Sequence, residues 1–139
     1  MKQAYLDCNI LLDWLLDRKP YSFFAARIIS KIETGEIVGY ASALSISNTY
    51  YLVRKAINKS IADEFLADAR RLFKILDLNS MVVEMAIDQK FRDFEDDAHY
   101  FACKVHGVEN LITRNEDDFR KDDGIKIMNA EQFLEALEP

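Results

Sequence analysis

Three polar segments, far apart in the sequence, carry side chains that could bind a metal ion. Asp7 and Asn9 directly follow a short apolar stretch, and Asp96 lies in an acidic run further along the chain. Thr113 and Asp118 belong to the third segment, which follows another apolar stretch. Carboxylate, amide and hydroxyl oxygens suit Mg²⁺ or Mn²⁺ better than zinc. These residue types therefore indicate a site for a hard divalent cation.

Several carboxylates cannot share one site unless their charge is neutralised. Two unit charges about 4 Å apart repel each other by ~1 kcal/mol in water and by ~4 kcal/mol at an effective dielectric constant of about 20. Either one carboxyl group stays protonated or a cation binds. The plain structural alternative is that Asp7 and Asn9 cap a helix and that Asp93 forms a capping box with Asp96.

The elements that must position these residues follow from hydrophobic periodicity, since short apolar segments alternate with amphipathic ones. Strands are predicted at 3–6, 37–41, 74–77, 110–113 and 125–128. Helices are predicted at 9–16, from a Ser22 cap to Thr34, from a Ser45 or Ser47 cap to Ile57, and at 61–73, 80–90, 96–105 and 130–137.

This alternation predicts an α/β fold, a short parallel sheet of four to five strands with helices on both faces. Ligands bind outside the carboxyl ends of such strands. Asp7 follows the first strand, the segment 42–48 follows the second, and Thr113 follows the fourth. The helix that begins near Asp96 returns to the same edge. Four segments are therefore expected to meet at one site.

Composition narrows the class of protein. The chain has 139 residues, of which 50% are hydrophobic and 30% charged, and its net charge is −6. We expect one domain spanning 1–139. The acidic balance argues against a protein that coats DNA but does not exclude a nuclease. Cys8 and Cys103 lack metal-ligand spacing and are predicted to be buried, reduced thiols. No apolar run approaches about 20 residues and no signal peptide is evident, so we expect a cytoplasmic protein without a membrane partner.

Basic clusters and two histidines each have a functional and a structural interpretation. The basic clusters could hold phosphates, although each is also typical of a solvated surface. His99 and His106 are seven residues apart and are interpreted as packing or surface residues. The basic clusters are Arg54, Lys55 and Lys59; Arg70, Arg71 and Lys74; and Arg114, Arg120 and Lys121.

The segments around these residues resemble the PIN-domain superfamily, and in particular its bacterial branch of VapC-like toxin ribonucleases. The similarity lies in YLDCNILLDWLLDR, GYASALSISNTYYLVRK and DFEDDAHYFACKVHGVENLITRNEDDF, in the family's order and spacing. It covers nearly the whole chain. The resemblance implies a PIN-like three-layer fold and a Mg²⁺- or Mn²⁺-dependent ribonuclease, in which acidic residues hold the metal and water attacks a phosphodiester of RNA.

The resemblance also implies roles for individual residues. Asp7 is the first acid of the family's site and Asp96 the third, and both would bind the metal together with Asp118. The second acid falls on Asn48 and the fourth on Asn115, with Asp118 close by. An asparagine keeps an oxygen ligand but removes a charge, so both departures weaken the expected affinity for metal and the activation of water.

Three further residues are expected to orient substrate or water. Asn9 matches the polar residue after the first acid, Thr113 orients water or phosphate, and Arg114 holds the flanking RNA backbone. The resemblance implies a small antitoxin protein as a partner, because VapC-like toxins occur in toxin–antitoxin pairs. It also implies a homodimer.

Three other functions compete with a ribonuclease. A phosphohydrolase with an aspartyl nucleophile needs a second Asp as general acid, and Asn9 stands at that position. A receiver domain needs an acid pair after the first strand, which is absent, although Asp77 lies near the third strand. The third alternative is a catalytically degraded PIN-like domain that binds RNA or a partner protein without cleaving it.

Overall fold

The computed structural model describes residues 2–89, 93–114 and 124–138. Within these ranges five strands form one sheet in the order β3-β2-β1-β4-β5, and every neighbouring pair is parallel. The predicted α/β fold with a parallel sheet is confirmed. The strands are β1 (Lys2–Leu6), β2 (Ile37–Ser42), β3 (Phe73–Leu76), β4 (Asn110–Ile112) and β5 (Lys126–Met128).

Seven helices connect and cover these strands within the described ranges. Parallel neighbours require crossover connections, and the helices provide them. The helices are α1 (Cys8–Leu15), α2 (Tyr21–Glu33), α3 (Ala43–Ala56), α4 (Lys59–Leu72), α5 (Ser80–Gln89), α6 (Phe94–His106) and α7 (Ala130–Leu137). None of them is long and apolar enough to cross a membrane.

Both faces of the sheet are buried. Successive side chains of a strand point to opposite faces, so one strand contributes to two separate clusters. Ala4 and Leu6 of β1 pack into a cluster with α1, α2, α4 and α7. Tyr5, between them, belongs to a second cluster formed with α5 and α6. Each large apolar side chain buried in this way contributes about 1.5–3 kcal/mol to folding. The central strand is thus held from both sides, which fixes the position of the residue that follows it.

Five of the seven predicted helix starts lie one or more residues after the observed ones, and in two of them the expected cap was wrong. The third helix begins at Ala43 rather than after Ser45 or Ser47, because Ser42 is its cap and forms a reciprocal capping box with Ser45. The second helix begins at Tyr21, one residue before the expected cap, without a side-chain cap. Helix α6 ends at His106, one residue after the predicted end, and Gly107 caps it with φ at +72°.

Candidate active site

Asp7 lies where the carboxyl ends of β1 and β4 meet the start of α1. Its backbone N–H donates to the carbonyl of Ile112 at 3.2 Å, and its carboxylate accepts the N–H of Ile10 at 3.1 Å. The carboxylate therefore caps α1, as the structural alternative predicted. Asp7 is only 3% exposed. These contacts fix the carboxylate at the edge of the sheet.

Among the described residues, Asp7 has no lysine or arginine as an ion-pair partner. Burial raises the pKa of Asp7, while His99, a hydrogen bond from Thr113 and backbone N–H groups oppose the rise. In the part of the chain that the structure describes, no lysine or arginine forms an ion pair with Asp7. A buried carboxylate without a cation is costly, because its charge is only partly solvated.

Asp96 comes to the same place from the first turn of α6. Asp93 caps this helix by accepting the backbone N–H of Asp96 at 2.8 Å. Burial raises the pKa of Asp96 to about 6, and the negative charge of Asp93 is the next cause. Asp7 and Glu95 raise it further. The structure thus brings Asp7 and Asp96 within reach of each other's charge.

Asn48 lies on α3 and faces the side chain of Glu95, which precedes Asp96 on α6. The pKa of Glu95 is lowered, first by the neighbouring His99 ring and also by a hydrogen bond from Asn48, although burial opposes the change. His99 Nε2 is 3.7 Å from Glu95 Oε1. The position at which the resemblance expects a second acid therefore holds a neutral amide that contacts a carboxylate from another helix.

His99 connects this edge to the core. The Tyr5 hydroxyl lies 2.6 Å from His99 Nδ1 and donates to Ser42 Oγ at 2.7 Å. Tyr5 is fully buried and His99 is 2% exposed. Among the described residues, Nε2 of His99 is without a hydrogen-bond partner. His99 was interpreted as a packing or surface residue; it is buried, and it also contacts Glu95 at the acidic edge.

The expected orienting residues lie in different environments. Thr113 is fully buried and hydrogen bonds to Asp7. Asn9 lies on α1, donates its backbone N–H to Asp7 and accepts a hydrogen bond from Arg18 at its carbonyl, 3.2 Å away. Arg114 instead turns toward Asp13, with 3.3 Å between Nε and Oδ2. Thr113 and Asn9 are therefore at the acidic edge, whereas Arg114 forms an ion pair beside it.

Two of the expected site residues, Asn115 and Asp118, lie outside the described residues. Their assigned roles stay predictions.

The donor set at this edge fits a hard cation. Asp7 and Asp96 offer carboxylate oxygens and Thr113 a hydroxyl oxygen. Mg²⁺ is commonly held by one or two carboxylates and keeps several waters. Across the three described ranges, no three His, Cys, Asp or Glu side chains converge closely enough to hold a metal ion between them. The residues present therefore fit a hydrated Mg²⁺ or Mn²⁺ rather than an ion enclosed by protein ligands.

Glu95 and His99 are the residues whose arrangement the sequence analysis missed. Glu95 was only one of several acids in an acidic run, and His99 was interpreted as a packing or surface residue. Their spacing carried a signal, since residues four apart on a helix lie on the same face. Tyr5 gave no such signal, because an aromatic residue in an apolar strand is normally core.

Two curated proteins resemble the chain over nearly its whole length, and both are named ribonucleases. The chain is 25% identical to ribonuclease VapC1 of Aquifex aeolicus, over 96% of this chain and 94% of that protein. It is 28% identical to ribonuclease VapC2 of Methanocaldococcus jannaschii, over 91% and 93% respectively.

Solved structures support the same fold. A toxin–antitoxin complex from Klebsiella pneumoniae matches with a TM-score of 0.66 at 21% identity, over 88% of this chain and 95% of that one. The family model described as PIN domain matches residues 3–117. The chain therefore belongs to the PIN domain family.

Proposed function

We propose that the chain is a divalent-metal-dependent endoribonuclease. The observation that carries the proposal is the pairing of Asp7 with Asp96 at the carboxyl edge of the sheet, where the described residues provide no lysine or arginine to neutralise them. Two of its relatives, similar over more than nine-tenths of the chain, are named ribonucleases. Membership of the PIN family removes the phosphohydrolase and receiver alternatives.

In this proposal Asp7 and Asp96 hold Mg²⁺ or Mn²⁺, with Asp118 as a further predicted ligand. A cation held there would lower the pKa of a water molecule and neutralise phosphate charge. The protein residues do the positioning. The N–H of Ile10 and the hydroxyl of Thr113 fix the Asp7 carboxylate, which stays ionised once a cation offsets the cost of its burial.

A catalytically degraded PIN domain is the second candidate function. Asn48 and Asn115 replace two expected acids, and the described residues contain no cluster of three potential ligands. Such a protein would bind RNA or a partner protein without cleaving it. The two candidates differ in metal binding, because only the nuclease needs a cation to act.

The biological role that fits this activity is the toxin of a toxin–antitoxin pair. The curated relatives carry the VapC name, and the Klebsiella structure of the same fold is a toxin–antitoxin complex. We therefore propose a small antitoxin protein as partner and a homodimer as the active assembly. Growth arrest on expression, relieved by co-expression of a small protein encoded beside this chain, would support the role.

The experiment for the activity is cleavage of a labelled RNA in Mg²⁺, in Mn²⁺ and in EDTA. We expect metal-dependent cleavage that falls by more than about a hundredfold in Asp7→Asn and in Asp96→Asn, since loss of a ligand costs more than loss of an outer-shell contact. Asp88→Asn, an exposed residue on α5, is the matched control and should cleave normally. Cleavage that survives in EDTA, or in both site variants, would refute the proposal.

A further inference from the structure

We propose that a cavity between α1, α2 and α7 binds an unpaired base of RNA beside the acidic edge, with Tyr21 and Arg114 as its main contacts. The inference rests on the proposed function, because it concerns how the chain holds the RNA that this function requires. It assigns a recognition role to Tyr21, which lies outside the three segments that resemble the PIN family.

The first observation is the position of the cavity. Its volume is about 410 Å³, within the range of about 300–1,000 Å³ that is typical of ligand pockets. Ile10 lines it and donates its backbone N–H to the Asp7 carboxylate, 3.1 Å away. Arg114 also lines it and directly follows Thr113, which hydrogen bonds to Asp7. One wall of the cavity is therefore the part of the structure that holds Asp7.

The second observation is the chemistry of the lining. Aromatic rings come from α2, and further apolar surface comes from α1, α7 and the residue before α2; the residues are Tyr21, Phe24, Ile10, Ala130 and Pro20. Tyr21 is 44% exposed, so much of its side chain is open to a ligand. Unpaired bases stack on aromatic side chains and on guanidinium planes, whereas a base inside a duplex presents only its edges. The lining therefore suits the planar ring of an unpaired base.

The third observation is that the guanidinium group of Arg114 is held in place at this cavity. It lies over the ring of Tyr21, 4.3 Å from the centroid, and its Nε is 3.3 Å from Asp13 Oδ2. The Arg114 side chain is 27% exposed, so part of it remains accessible to a ligand. A guanidinium group can stack on a base or donate hydrogen bonds to its acceptor atoms. Because two contacts already fix the group, binding costs little side-chain entropy.

The charges around the cavity favour a base over a phosphate. Arg18 and Arg114 face the buried carboxylate of Asp13, and Glu131 also lines the cavity. These four side chains carry two positive and two negative charges, which balance. The N-terminus of α7 could attract an anion, but the side chain of Asn129 already caps it. A base is neutral and has polar edges, so it fits these surroundings better than a phosphate does.

Two short RNAs that differ only in their bases test the inference. We would measure the fluorescence anisotropy of labelled hexa-adenylate and of a matched hexamer of abasic ribonucleotides, both in EDTA to prevent metal-dependent cleavage. Tyr21→Ala should weaken the binding of hexa-adenylate about tenfold, because one stacking contact is lost. It should leave the binding of the abasic hexamer unchanged, since that strand has no base to place in the cavity.

Two further variants serve as controls. Tyr21→Phe keeps the aromatic ring and should bind hexa-adenylate like the wild type. Tyr51→Ala removes a tyrosine of α3 that is more exposed than Tyr21, and it should also leave binding unchanged. Thermal denaturation of each variant checks that it is folded.

The contact with Arg114 needs its own variant. Arg114→Lys keeps the positive charge but loses the planar group. We expect severalfold weaker binding of hexa-adenylate and unchanged binding of the abasic hexamer. Equal weakening for both RNAs would mean that Arg114 contacts the phosphate backbone, which would overturn its role in the cavity.

The outcomes separate this inference from the proposed function. Unchanged binding of hexa-adenylate by Tyr21→Ala would overturn the inference, favour a protein segment as the occupant of the cavity, and leave the nuclease proposal intact. A wild type that binds both hexamers equally would also overturn it. A wild type that prefers hexa-adenylate, depends on Tyr21 and cleaves no RNA would support the inference and refute the nuclease proposal.

Discussion

Asp7 and Asp13 are two buried aspartates of helix α1: Asp7 caps the helix, and Asp13 lies within it. The charged groups around the two side chains differ. Asp13 is fully buried, and two guanidinium groups approach it, with 2.9 Å from Arg18 Nε to Oδ1 and 3.3 Å from Arg114 Nε to Oδ2. Asp7 has backbone N–H groups, a hydroxyl and one histidine around it. Among the described residues, two arginines thus compensate Asp13, whereas no lysine or arginine forms an ion pair with Asp7.

The difference separates an acid that is paired with arginines from an acid that has no lysine or arginine partner among the described residues. Burial raises the pKa of Asp13, and both arginines oppose the rise. Arg114 also lies over the ring of Tyr21, 4.3 Å from its centroid, so the cluster ties α1 to α2 and to the end of β4. In the part of the chain that the structure describes, Asp7 forms no such ion pair, and the charges of Asp7 and Glu95 raise the pKa of Asp96. Burial raises the pKa of both acids, but arginines oppose the rise only at Asp13.

The largest effect on stability is expected at Asp13. Asp13→Asn leaves Arg18 and Arg114 partly buried without their counter-charge, which should lower the free energy of unfolding by about 3 kcal/mol. The melting temperature should fall by about 10 °C. Thermal denaturation of Asp13→Asn, with Asp88→Asn as the control, measures this change. A shift smaller than about 2 °C would show that the two arginines do not depend on Asp13.

At Asp96 in the metal-free protein we expect a smaller change in the free energy of unfolding, and this change is an increase. Because its pKa is raised to about 6, the folded state binds more protons than the unfolded state between about pH 4 and pH 6, and stability falls as the pH rises through this window. Asp96→Asn has no ionisable side chain at this position, so it does not lose stability in this way. In EDTA at pH 7.5 it should raise the free energy of unfolding by about 1–2 kcal/mol, after allowing for partial exposure.

The pH dependence provides the control for that prediction. Below about pH 4 the wild type is protonated at Asp96 in both states, so the variant and the wild type should melt together. Asp96→Asn that is less stable than the wild type at pH 7.5, with no metal present, would contradict the account of a repulsive acidic edge.

The smallest effect is expected at Arg114. Arg114→Lys keeps a positive charge but gives up the planar contact with Tyr21 and the fixed geometry toward Asp13. Arg18 still compensates Asp13, so the loss should be about 1 kcal/mol. Urea denaturation measures it. A loss as large as that of Asp13→Asn would mean that Arg114, rather than the pair of arginines, carries the compensation.

Much of the fold and part of the site were predictable from sequence. The buried strands and their alternation with helices indicated the parallel sheet, and the sheet's carboxyl edge brought Asp7 and Asp96 together as expected. The start of α3 was not predictable from propensity, because Ser42, Ser45 and Ser47 are all good caps and only tertiary geometry selects Ser42.

The polar contacts between helices could not be predicted from the sequence. The pairing of Asn48 with Glu95 depends on how α3 packs against α6, and periodicity does not determine that angle. The arginine cluster around Asp13 was missed for the same reason, since Arg18 and Arg114 are far apart in the chain. Periodicity shows which side a residue faces, but not which charged residue of another element meets it.

The most direct test is a calorimetric titration of Mn²⁺ into the wild type and Asp7→Asn at pH 7.5. We expect saturable binding to the wild type at submillimolar metal and none to Asp7→Asn, which should remain folded. Absence of binding to the wild type up to millimolar Mn²⁺, or equal binding to both proteins, would contradict this expectation.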